Sequence, residues 1–150
     1  MKSDLLSVTV NELAEARRQR IELRLRELQT ECFSAADRIQ KAESQQPSAA
    51  AAVERAEQEL QTQLQVTREH LEAAGLGPRP ELLAKNPEAV RREFEHRVRT
   101  AAPCELAKGV VDQAKADQRG VDAAVKAGRD QLAAAQLQLQ RFVDELLKVE

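Results

Sequence analysis

Aromatic residues are almost absent. The 150-residue chain has three Phe, no Tyr and no Trp. It also has only five Gly, five Pro and two Cys. Each scarcity excludes something. An all-β fold needs β-branched and aromatic residues with many Gly-rich turns. A stacking platform for single-stranded nucleic acid needs exposed aromatic faces. A secreted disulfide framework needs more than Cys32 and Cys104. The longest apolar run is Ala49–Val53, far short of the roughly 20 residues of a membrane span. No apolar stretch follows Met1-Lys2-Ser3-Asp4, so no secretory signal is expected. Together these features imply a soluble, cytoplasmic protein with reduced thiols.

Charge of one sign is also missing. Twenty-three Lys and Arg nearly balance 25 Asp and Glu, for a net charge of −2. No global field draws in nucleic acid or an anionic membrane. What is abundant is Ala, Glu, Gln, Arg and Leu, the strong helix formers.

The pattern along the chain is helical. Thr9-Val10-Asn11-Glu12 matches a capping box, with Val8 and Leu13 at the positions of a hydrophobic staple. From Ile21 the apolar positions step by 4 and 3 through Leu25, Leu28, Cys32, Ala35, Ile39 and Ala42, a heptad seam. Pro47 then predicts a break, with Ser48 as the next N-cap. The second seam is Val53, Glu57, Leu60, Leu64, Thr67, Leu71 and Ala74. Gly75 supplies a left-handed stop, and Glu81–Lys85 is one helical turn. Asn86-Pro87-Glu88 is a start signal, with Val90, Phe94, Val98 and Ala101 as the apolar stripe. Pro103 kinks or restarts the chain. The last seam never slips: Cys104, Ala107, Val111, Ala114, Gln118, Val121, Val125, Gly128, Leu132, Ala135, Leu139, Phe142, Leu146, Val149.

The predicted fold is therefore all-α: an elongated antiparallel helical bundle or coiled coil of three to four helices. It forms one domain over 1–150, with helices at about 10–43, 49–74, 87–101 and 103–149 and a loop at 75–86. The final helix would be roughly 70 Å long at 1.5 Å per residue, longer than its neighbours cover. The surplus predicts a helical partner or a homodimer. Val125, Leu132, Leu139, Phe142 and Leu146 are the candidate anchors on that helix, and Leu82 and Leu83 in the loop are a second candidate contact.

Sites of chemistry are weak. Glu93 and His96 have the i,i+3 spacing of carboxylate-bridged metal sites, but no second Glu-x-x-His accompanies them. Cys32 and Cys104 fall on apolar seams, where thiols pack as small hydrophobes. Gly75-Leu76-Gly77 lacks the rest of a phosphate loop. No catalytic, metal or cofactor residues are expected, and no small-molecule or membrane partner. Arg17, Arg20 and Arg24 share a helix face that suits phosphates, but Glu15, Glu22, Glu27 and Glu31 interleave with them. The expected function is a non-catalytic coiled-coil interaction module, acting as adaptor, scaffold or assembly protein. The alternatives are a nucleic-acid accessory protein using the arginine stripe and, less favoured, a helical-bundle metal or redox protein.

Overall fold

A computed structural model describes the backbone of residues 2–149 and the side chains of residues 9–148. The fold is all-α. Its elements are α1 (Lys2–Ala73), α2 (Pro80–Lys85), α3 (Pro87–Thr100) and α4 (Ala102–Val149).

One element departs from expectation. The two predicted N-terminal helices are a single helix, and Pro47 lies inside it. Proline removes one backbone donor, so the Glu43 carbonyl loses its i+4 partner at a cost of about 3 kcal/mol. Pro47 is solvent-facing, where water can satisfy that carbonyl. Continuity keeps the seam in register. Ala42, Gln46, Ala49, Val53, Ala56 and Leu60 step 4, 3, 4, 3, 4 across the proline, and all are buried or half-buried. A break there would put α1 out of step with the unbroken seam of α4. Two further corrections follow from the same register. Ala56, 7% exposed, holds the seam place expected of Glu57, and Glu57 sits at the surface facing Lys115 at 3.5 Å. Ala74 is exposed in the turn after α1.

The capping box at Thr9 is not a helix start, because α1 begins at Lys2. Nothing from Lys2 to Val8 is Gly or Pro, and extending a formed helix costs far less than nucleating one. The expected Val8–Leu13 staple lies outside the described side chains, as does seam residue Val149; Leu13 itself is exposed.

The helix ends follow local chemistry. Gly75 adopts φ +75°. The Leu76 amide donates to the Leu71 carbonyl at 2.8 Å and the Gly75 amide to Glu72 at 3.1 Å, a Schellman closure. Asn86 caps α3, its side chain accepting from the Ala89 amide at 3.4 Å, with Pro87 in the first turn. Pro103 restarts the chain as α4 after an extended Ala101.

The chain forms two compact units. In the unit Ser44–Asp122, the core is Phe94, Val98 and Cys104, packed by Leu64, Leu71 and Ala101. Pairs Thr67–Cys104, Glu57–Lys115 and Gln46–Asp122 show α1 and α4 antiparallel here. The other unit comprises the described residues of Met1–Glu43 and Ala123–Glu150. Its buried residues include Leu28, Ala35, Ala42, Val125 and Ala135. Glu43–Arg129 and Arg38–Gln131 link the two helices across it, again antiparallel.

Candidate interaction surface

The apolar seam of α4 is taken by the chain itself. From Cys104 to Leu146 every seam position is buried or half-buried. Among the candidate anchors, Val125 is 3% exposed, and Leu132, Leu139, Phe142 and Leu146 are half-buried. The expected surplus rested on α1 stopping at Pro47, and the continuous helix removes that argument. Gly128 shows how tightly one part of this seam is closed. A Cβ at this position would stand 2.8 Å from Ile39 Cγ1.

A second face of α4 remains open. Leu106 is 73% and Val110 59% exposed. They line a shallow groove with Ala102, Glu105, Gly109 and Gln113. A Cβ at Gly109 or Gly120 would meet nothing within 4 Å. Sequence reasoning overlooked this face because its hydrophobicity is weaker than that of the seam. The usable signal was a second 4,3 alternation of small and apolar residues opposite the first. In the other unit Leu23, Phe33, Leu137 and Leu147 are exposed, each also away from the seam.

The loop residues divide. Leu82 is exposed and borders a hollow with Leu76, Pro78, Val90, Phe94 and Arg97. Leu83 is half-buried. They sit on α2, which the Gly75 turn and the Asn86 cap hold between α1 and α3.

The arginine stripe is exposed throughout. Arg24 pairs with Glu27 at 3.1 Å, and Arg18 with Glu15 at 2.9 Å. Arg17 and Arg20 border a notch with Ile21 and Phe142. Most ion pairs of this chain are exposed and contribute little. The exception in geometry is Arg68–Glu95, which is bidentate, with Nε to Oε1 at 3.0 Å and Nη2 to Oε2 at 2.8 Å. The Arg68 guanidinium holds the Glu95 carboxyl below the usual glutamate range, and Glu95 in turn raises Arg68. This clamp ties α3 to α1 beside the core.

The remaining chemical candidates are dispersed. Glu93 and His96 are both exposed, and Glu93 pairs with Arg97 at 3.1 Å. Cys104 is 1% exposed, its Sγ 3.3 Å from Thr67 Oγ1. Cys32 is half-buried, and both cysteines are free. Among the described residues no three His, Cys, Asp or Glu side chains converge as metal ligands. No described helix is long and apolar enough to cross a membrane. Comparison with protein-family models, curated proteins and solved structures found no match.

Proposed function

We propose that this chain is a non-catalytic interaction module, an adaptor, scaffold or assembly protein that works by helix-on-helix recognition. The observation that carries the reading is the set of large apolar side chains left outside the seams. Leu23, Phe33, Leu106 and Val110 are each more than half exposed. A helix face of this kind recognises another helix through residues spaced by 3 and 4. Few aromatics mean few ready-made anchors, so an extended helix fits these faces better than a pocket-bound ligand. A reducing, cytoplasmic setting belongs to the same proposal.

Affinity capture from cell extract tests it, with the wild type run beside Leu23→Glu/Phe33→Glu and Leu106→Glu/Val110→Glu variants. The proposal expects at least one retained protein, a second copy of the chain included, to be lost from one variant. Retention that is identical for all three baits sinks it. A second reading, nucleic-acid binding, rests on the exposed Arg17 and Arg20 beside Arg24. It requires duplex DNA binding that falls steeply with salt and is abolished by charge reversal at these three arginines.

A further inference from the structure

We propose that the outward face of α4 from Ala102 to Gly120 is a dimer contact, with a second copy laying the same face across it, antiparallel, about a two-fold axis. This rests on the reading of the chain as a helix-recognition module and names its partner. The face has its own heptad alternation. Ala102, Leu106, Gly109, Gln113, Ala116 and Gly120 step 4, 3, 4, 3, 4, and all six are exposed. The seam residues Cys104, Ala107, Val111, Ala114 and Gln118 lie on the opposite side of the helix, against this chain's own α1.

Two glycines argue for an approach from outside the chain. Each costs about 1 kcal/mol of helix propensity relative to Ala. Gly128 is matched within the chain by Ile39, whereas Gly109 and Gly120 have no neighbour within 4 Å of where a Cβ would stand. Missing side chains on a helix surface let a second backbone come close. An antiparallel second copy sets Gly109 against Gly120, and the two-fold axis then makes the contact twice. The same register sets Gln113 against Ala116, and Leu106 lies along the Gly120 turn of the second copy.

Charge selects the direction. Asp112 and Arg119 share one edge of this face, seven residues apart, and both are exposed. Neither makes an ion pair with another described residue. In the antiparallel register, edge positions of the same kind face each other across the helix pair. Asp112 then meets Arg119 of the second copy, and Arg119 meets Asp112. In a parallel pair Asp112 would instead stand beside Asp117 of the second copy, a like-charge contact.

Sedimentation equilibrium of the full chain tests the proposal. The wild type is expected to have twice the 16.7 kDa mass of one chain at micromolar concentration. Gly120→Leu raises helix propensity, and its Cβ meets no described neighbour within 4 Å, yet it should weaken the dimer by about a hundredfold. Asp112→Arg alone and Arg119→Asp alone should each weaken it by about tenfold, and the double swap should restore it. A monomeric wild type overturns the proposal, and so does a dimer indifferent to Gly120→Leu. Single reversals without rescue by the swap overturn the antiparallel register. A monomeric wild type still leaves the module reading to be judged by the capture experiment, since that experiment also registers partners of other kinds.

Discussion

Replacing Gly128 with Ala sets helix propensity against packing, and the two can be separated. On propensity alone, Ala should stabilise α4 by about 1 kcal/mol. Packing opposes it. The new Cβ would stand 2.8 Å from Ile39 Cγ1 and 3.7 Å from the Ile39 backbone nitrogen and Cα. Isoleucine is β-branched, so Cγ1 cannot swing aside without leaving its preferred rotamer. The two helices must therefore part by several tenths of an ångström or Ile39 must be strained. Overpacking of this kind costs about 1–3 kcal/mol. The balance is a net loss of about 1 kcal/mol, or roughly 2–4 °C in Tm for a chain of this size. In an Ile39→Ala background the obstructing carbon is gone. The same Gly128→Ala change should then stabilise by about 1 kcal/mol, giving a coupling near 2 kcal/mol between the sites. With no Trp and no Tyr in the chain, thermal unfolding is best followed by far-UV circular dichroism. Stabilisation by Gly128→Ala in the wild-type background would refute the close approach of Ile39 to α4.

Two other substitutions probe the helix and its clamp. Pro47→Ala restores a donor to the Glu43 carbonyl, worth about 3 kcal/mol in a helix interior. Loosening of the unfolded chain offsets about 0.4–1 kcal/mol of that gain. Tm should rise by several degrees, and an unchanged or lower Tm would contradict a continuous α1. Glu95→Gln should cost up to about 1 kcal/mol at neutral pH, as befits a partly exposed pair. The Glu95 carboxyl is lowered in the folded chain, so its contribution is fully present above the ordinary glutamate pKa of about 4.3. It is lost as pH falls through the lowered folded value. The stability gap between wild type and Glu95→Gln should therefore close in acid, and a gap constant with pH refutes the assignment.

The parts of the fold that were legible in sequence are those where one local signal has no competitor. Gly75 closes α1 because only its own turn decides the matter. Asn86 and Pro87 start α3 for the same reason, and the α4 seam shows because no residue interrupts its alternation. Pro47 misled because its signal is local while the opposing one is distributed. A missing hydrogen bond is a single cost, whereas a seam in step from Ala42 to Leu60 gains at every turn. The alternation across Pro47 was present in the residues, but stopping the count at the proline hid it. It also misplaced one member of the next seam, Glu57 for Ala56, while Val53, Leu60, Leu64, Thr67 and Leu71 hold the places expected of them. Thr9 misled in the reverse sense. A good cap describes where a helix can begin, and an upstream segment free of Gly and Pro lets it begin earlier.

The candidate surface was harder to read because folding consumes the strongest signal first. Within one chain the most apolar face of a helix finds the most apolar face of its neighbour, and Val125 is accordingly 3% exposed. In the proposed reading the face left for a second molecule is the next one, marked less by hydrophobicity than by glycines with open space where a Cβ would stand. Gly109 and Gly120 weaken α4 and have no described neighbour within 4 Å of where a Cβ would stand, and Leu106 is 73% exposed. Gly128 is the counterexample that makes the criterion work, since Ile39 accounts for it fully. A glycine inside a helix therefore prompts a definite question: which atom occupies the place of its missing Cβ. For Gly128 that atom lies in this chain, and for Gly109 and Gly120 the proposed second copy would supply it.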